Sequence, residues 1–304
     1  MLDEQQPSYV GPLEPLRFTI GYQDQSRYLE ALQDYHDRYK RLASGPKSVP
    51  LVHPGILLSQ SNATRSPSFD GPNIRWLHMR EKTHFTAPAH VDDELTAQWS
   101  VMDHKAWFGR SLTCVSCVVS RRDEQEILRR TMWGLRASAQ QLATAAGDEI
   151  SESSPVPEPK SRPSFPQYAD EISGKRKSVT GGRIVLFSGG IAENLHTDDE
   201  AARKAGLAGA VASASQGMGY LCEFMIDYHG EEWLTGGEWA LTFRRPIFAG
   251  DHVSPSGRLR AIDAAGHGAQ RMHIRLVNQD GLTVTDGSAT SGAVLNPTGC
   301  ETRM

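Results

Sequence analysis

The sequence predicts an α+β protein built from two copies of one unit, each a helix followed by antiparallel strands. Three observations point to this. Phe85-Thr-Ala-Pro88, followed by Asp93 and Leu95, recurs as Phe243-Arg-Arg-Pro246, followed by Asp251 and Val253, at a constant offset of 158 residues. A fixed internal offset is the mark of a duplicated unit. Residues 146–180 are rich in Pro, Ser and charge and carry neither helical nor strand period, so they read as a linker between the copies. Three strand-like runs then follow each Phe-x-x-Pro. At 304 residues, with 38% hydrophobic and 22% charged side chains, the chain has room and composition for two globular domains. The expected divisions are 1–145, the linker 146–180, and 181–304.

The elements follow in order. Residues 24–43 read as a helix whose polarity suits an outer surface. Val52–Leu58 is apolar-rich and helix-compatible, and the repeat offset lays it over Ala210–Gln216. Strands are expected over 95–103, 109–121 and 125–138. In the second half, Thr197-Asp-Asp-Glu200 fits a capping box with Thr197 as N-cap and Glu200 at N3. That helix stops near Gly206. A longer helix runs from about Gly209 to Tyr228, with Gly230 suited to its C-cap. Val211, Ala214, Met218, Leu221 and Met225 form one stripe along it, as a helix wrapped by a sheet requires. Strands are expected over 253–263, 270–279 and 282–294. In the middle one Met272, Ile274 and Leu276 alternate with polar residues, and Asp280-Gly281 suits a hairpin turn. Each half is then a long central helix wrapped by a curved antiparallel β-sheet, which is how a double hot-dog reads.

Composition also excludes. Thirty-two basic against 36 acidic residues give a net charge of -4, which offers no nucleic-acid surface. Mean hydropathy is -0.45, and no window approaches the ~18 apolar residues of a membrane span. The start, Met1-Leu-Asp-Glu-Gln-Gln-Pro7, lacks a basic head and apolar core, so no signal peptide and a cytoplasmic location are expected. Cys114, Cys117, Cys222 and Cys300 are too few for a disulfide framework. Cys114-Val-Ser-Cys117 sits in a strand-like run, where positions three apart face opposite ways, so a redox or metal pair is not expected. His53, His78, His84, His90 and His104 are scattered without metal-ligand spacing. No dinucleotide fingerprint, P-loop or nucleophile elbow occurs. No metal and no cofactor are therefore expected.

A resemblance adds to this reading. Phe187-Ser-Gly-Gly-Ile-Ala-Glu-Asn-Leu-His196, continuing through the small-residue run to Gly206, resembles the signature of MaoC-like (R)-specific enoyl-thioester hydratases and dehydratases. Phe243-Arg-Arg-Pro-Ile-Phe-Ala-Gly-Asp251 resembles their strand entry, and Asn278–Gly281 with Gly287-Ser-Ala289 their last hairpin. The resemblance covers the second half well and the first half weakly. It implies a double hot-dog whose second half carries the catalytic motif while the first shapes the acyl pocket. The motif is degenerate. Where the family has its catalytic Asp, this chain has Ile191 or Ala192, and the His of the family's Ala-His-Gly-Met element is Gln216 in Ser215-Gln216-Gly217-Met218.

The chemistry the resemblance implies is dehydration or hydration of a β-hydroxy carbonyl compound, expected as an acyl thioester of CoA or a carrier protein. It needs a base for the C2 proton and an acid for the departing hydroxyl, and a His near its ordinary pKa can serve as either. His196 is the expected acid/base, with Asn194 to orient it or bind substrate. Glu193 is expected to replace the missing carboxylate, with Asp198 and Asp199 as weaker candidates. Ser215, Gln216, Gly217 and Met218 are the expected substrate-binding residues, with backbone N–H groups near Gly217 polarising the carbonyl. Two other functions fit the same pocket: a tailoring isomerase or cyclase of secondary metabolism acting on a polyketide-like metabolite, or a non-catalytic partner subunit. The lyase requires a carboxylate within reach of His196 and a basic rim. The tailoring enzyme requires a closed apolar pocket, and the partner subunit a buried, satisfied His196. Two halves in one chain already supply the paired sheets of a hot-dog, and a homodimer of such chains is compatible with them.

Overall fold

The computed structural model describes residues 9–40, 49–63, 74–107, 110–138, 168–189, 194–204, 207–260 and 270–291. In the first half, β1 (Gly11–Pro12) and β2 (Leu16–Phe18) precede α1 (Tyr22–Leu32), a 3-10 turn (Asp37–Tyr39) and α2 (Pro54–Ala63). Strands β3 (Ile74–Phe85), β4 (Leu95–Trp107), β5 (Arg110–Arg121) and β6 (Glu126–Ser138) follow. The second half repeats the order: β7 (Tyr168–Ser173), β8 (Lys177–Ser178), α3 (Gly181–Ser188), α4 (Asp199–Lys204), α5 (Ala214–His229), a 3-10 turn (Glu231–Thr235), β9 (Glu238–Phe243), β10 (His252–Arg260), β11 (Arg271–Asn278) and β12 (Thr283–Thr290).

All twelve strands form one antiparallel sheet in the order β1-β4-β5-β6-β3-β9-β12-β11-β10-β7, with β2 on β4 and β8 on β10. Each half uses the same local order, and the halves meet where β3 pairs β9, from Arg80↔Thr242 to His84↔Glu238. Helices α2 and α5 pack against each other inside this sheet. They cross where both chains have glycine: a Cβ on Gly55 would lie 2.6 Å from the Gly219 Cα. A single apolar cluster runs through both halves, from Ile56 and Trp99 to Met218, Leu221 and Ile274.

The repeat is visible in its turns. The Asp93 carboxylate accepts from the His90 N–H at 2.8 Å, and the Asp251 carboxylate from the Phe248 N–H at 2.8 Å. Val52 N–H donates to Ala89 O, and Ala212 N–H to Ile247 O, both at 2.8 Å. The turns keep the 158 offset, but the central helices start at Pro54 and Ala214, an offset of 160. Val52–Leu58 therefore overlies Ala212–Met218 instead of Ala210–Gln216, because two more residues separate helix and Phe-x-x-Pro in the first half.

Other expectations need correction. The 24–43 helix is shorter, ending at Leu32 with Gln33 in the left-handed region, and its inner face buries Gln25, Tyr28, Leu29, Ala31 and Leu32. The 146–180 segment is not linker throughout: β7 and β8 lie in it, each too short for a period to show, and both pair with the edge of β10. The cap of α4 is Asp198, whose Oδ1 accepts from Ala201 N–H at 2.7 Å, not Thr197. Helix α5 begins at Ala214, where Ser213 Oγ caps Gln216 N–H, and ends at Gly230. It is buried all round from Ser215 to Ile226, more fully than one stripe implies. The strand expectations hold within a few residues, and Asn278–Gly281 makes the β11–β12 turn.

Two buried ionic groups tie the layers. Arg130 makes a bidentate pair with Glu81 at 2.6 and 3.0 Å and donates to Leu58 O and Ser61 Oγ, joining the β3–β6 face to α2. The guanidinium and His78 hold the Glu81 carboxyl at about 2 against the opposing effect of burial. Lys177 of β8 pairs with Glu223 of α5 and donates to Gln33 O at 2.9 Å. Burial raises Cys117 to about 12 and Cys222 well above the ordinary thiol value, so both stay thiols at neutral pH. Cys117 is buried while Cys114 is half-buried, consistent with their opposite faces on β5. Among the described residues no group of His, Cys, Asp and Glu has metal-binding geometry, and no helix is long and apolar enough to cross a membrane.

Candidate active site

His196 lies in the loop between α3 and α4. Asn194 builds that loop: its Oδ1 accepts from His196 N–H at 2.8 Å, and its carbonyl accepts from Thr197 and Asp198 N–H. Asn194 thus fixes the backbone of the loop that carries His196. The ring Nδ1 stands 2.8 Å from Val211 O. A carbonyl only accepts, so Nδ1 carries the proton and Nε2 keeps its lone pair. Nε2 makes no hydrogen bond among the described residues. Burial lowers the His196 pKa, only partly opposed by Val211 O, so the ring is neutral at pH 7. Val211 sits two residues before the cap of α5, which places this imidazole beside the N-terminal end of the central helix. Val211 had no signature in the sequence, since it acts through its backbone carbonyl.

The two halves treat equivalent positions differently. At the helix offset of 160, Asp34-Tyr35-His36 corresponds to Asn194-Leu195-His196, and His53 to Ser213. The turn is the same: Asp34 Oδ1 accepts from His36 N–H at 3.2 Å. In the first half, however, His36 is exposed, and its Nδ1 accepts from Arg38 N–H. Asp34 Oδ2 lies 3.2 Å from Nε2 of the fully buried His53, whose Nδ1 accepts from Gly55 N–H to cap α2. This contact helps hold the Asp34 carboxyl at about 2 despite burial. Both His53 nitrogens and the carboxylate are thus engaged in structure. The second half has neutral Asn194 and small Ser213 in these places, and its His196 turns inward. Sequence reading left Asp34 and His53 apart; the matching Asp-x-His and Asn-x-His at one offset was the available signal.

The remaining expected residues divide. Glu193 lies outside the described residues, as do Ile191 and Ala192. Asp198 caps α4. Asp199 accepts from Ala210 N–H at 2.8 Å and faces Arg203, so neither carboxylate is held at His196. The Gly217 N–H faces Ser213 O at 3.4 Å, and its Cα side packs toward Ile247 and Leu276 of the core. The reason is that α5 starts at Ala214, leaving Gln216 and Gly217 inside its first turn. The N–H groups without an intrahelical partner at that end are those of Ala214 and Ser215. Ser215 Oγ accepts from Asn62 at 3.1 Å, and Met218 is fully buried. Gln216 is fully buried, donates to Tyr220 Oη at 3.0 Å and leaves Oε1 unpartnered in the core. Two cavities of about 750 and 590 Å³ lie along the sheet, and His196 lines neither.

No family model matches the sequence, and no curated protein matches it either. Solved structures do match. A MaoC-like dehydratase superposes with a TM-score of 0.72 at 16% identity, over 94% of this chain and 98% of its own. A MaoC-like dehydratase from Phytophthora capsici gives 0.64 at 13% identity, over 93% and 96%. The chain is a double hot-dog. A Mycobacterium tuberculosis protein described as having that double hot-dog fold gives 0.57 at 13% identity, over 94% and 96%. In this double hot-dog the central helices are α2 and α5, and His196 stands at the entrance to the second.

Proposed function

We propose that this double hot-dog is a hydro-lyase that adds water to an enoyl thioester or removes it from a β-hydroxy acyl thioester. The observation that carries the reading is the state of His196: neutral, with Nδ1–H fixed on Val211 O and Nε2 without a hydrogen bond among the described residues, at the N-terminal end of α5. Two of the matching structures carry the description MaoC-like dehydratase, which supports the same reaction class.

In the hydration direction, His196 Nε2 takes a proton from water as its oxygen adds to C3 of the enoyl group. The C2–C3 double bond becomes an enolate delocalised onto the thioester oxygen. The N–H groups of Ala214 and Ser215 stabilise that charge at the positive end of the helix. The proton then goes to C2, giving the 3-hydroxyacyl product, and dehydration is the reverse. Glu193 is assigned as the second acid/base group, Asn194 as the residue that holds the loop, and Ser215, Gln216, Gly217 and Met218 as the wall behind the reacting carbons.

The test is turnover. Purified protein is incubated with enoyl-CoA and (R)-3-hydroxyacyl-CoA thioesters of several chain lengths, followed at the enoyl-thioester absorbance. The reading expects turnover on at least one length and a loss of ~10²–10⁴-fold in His196→Gln, the usual contribution of a general acid/base. Turnover that survives the substitution, or none on any length, would overturn it.

A further inference from the structure

The outer face of the sheet carries a second feature, independent of His196. Cross-strand register lines up Arg129, His84, Glu238, Thr290 and Arg271 on strands β6, β3, β9, β12 and β11. The next rung on the same strands is Thr131, Lys82, Ala240, Ser288 and His273. These residues point away from the helices: Lys82, His84, Arg129, Glu238 and Arg271 are exposed, while Thr83, Arg130, Trp239 and Met272 between them are buried. Ala240, Ser288 and Thr290 give a low floor. Basic side chains rise at both ends, and a cavity of about 750 Å³ lies between them. Strands stand about 4.8 Å apart, so the β3 and β11 ends of this trough are ~14 Å apart.

Two of the trough's charges are unspent. Among the described residues neither Lys82 nor Arg271 has an ion-pair or hydrogen-bond partner. Arg129 is shared with Glu126 at 2.5 Å, and His273 is engaged as well. Unpaired cations gathered on a chain whose net charge is -4 are a local departure from the whole surface. The volume is that of a small-molecule site, where pockets run about 300–1,000 Å³.

We propose that this trough binds a nucleoside polyphosphate across the β3–β9 seam. The phosphates lie at the Arg129, His84 and Lys82 end, where a row of donors faces charged oxygens. The ribose hydroxyls donate to Glu238 over the Ala240 floor. The base stacks on the Arg271 guanidinium, a planar group suited to aromatic faces.

The experiment is calorimetric titration of the full chain with ATP, inorganic tripolyphosphate and a glutamate-rich peptide. ATP is expected to bind one site with a Kd below ~1 mM, at least tenfold tighter than tripolyphosphate. Lys82→Gln and Arg271→Gln should each weaken ATP binding at least fivefold while the thermal midpoint stays unchanged, and His196→Gln should leave it unaltered. Added salt should weaken it, as exposed charge contacts require. No saturable binding, equal affinity for tripolyphosphate, binding that survives Lys82→Gln and Arg271→Gln combined, or preference for the acidic peptide would each overturn the proposal. Loss of turnover in the His196 variant with ATP binding intact separates the two claims.

Discussion

Replacing Gly55 with alanine tests the helix crossing at the centre of the fold. The new Cβ would sit 2.6 Å from the Gly219 Cα and 3.1 Å from the His53 ring. Carbon atoms settle at about 3.5–4.0 Å, so α2 and α5 must part by ~1 Å against backbone that has no side chain to rotate away. Overpacking of this kind costs about 1–3 kcal/mol. Alanine returns at most ~1 kcal/mol in helix propensity, and less at the second residue of a helix. The net expectation is a destabilisation of about 1–3 kcal/mol. Gly182 of α3 supplies the control, because its Cβ would meet only Thr180 Oγ1 at 3.9 Å. The same substitution there should stabilise by about 0.4–1 kcal/mol. Urea unfolding read by Trp fluorescence gives both values at constant m. A neutral or stabilising Gly55→Ala would refute the close crossing.

Three further outcomes follow from the buried charges and thiols. Arg130→Met alone strands the Glu81 carboxylate and should cost about 3–5 kcal/mol, whereas Arg130→Met with Glu81→Leu should recover most of it, measured in the same urea series. Glu81 and Asp34 both have folded pKa values of about 2, below their unfolded values near 4. Their contribution is therefore complete above pH ~5 and lost as pH falls through the window between 4 and 2. A midpoint that does not drop there would contradict the pairing. In native protein Cys117 and Cys222 should resist a thiol reagent that labels them after unfolding, with labelled peptides identified by mass spectrometry.

Much of the fold was legible because packing repeats in sequence. The Phe-x-x-Pro turns keep their Asp, since Asp93 and Asp251 must each receive the same backbone N–H. The alternation of Met272, Ile274 and Leu276 marks a sheet with one buried face. The short edge strands were not legible: Lys177-Ser178 has no period, and its place depends on a lysine buried against Glu223 of a distant helix. Of the candidate site, one local contact was legible. His196 and Asn194 stood out as a pair, but the helix start was set too early in the chain, by the apolar stripe, when Ser213 sets it. With the helix starting at Ala214, the N–H groups left without an intrahelical partner are those of Ala214 and Ser215, just before Gly217. The sealed Asp34–His53 pair was hidden because the repeat was aligned at 158 while the helices keep 160.

The central claim is that a neutral His196, unprotonated at Nε2, acts as the base. The most direct measurement is the pH dependence of kcat/KM for enoyl-CoA hydration. Burial lowers this imidazole, so activity should fall on the acid side with an apparent pKa below the usual value of about 6.5, and His196→Gln should lose that limb together with the rate. An acid limb above 6.5, or one that persists unchanged in His196→Gln, would contradict the account.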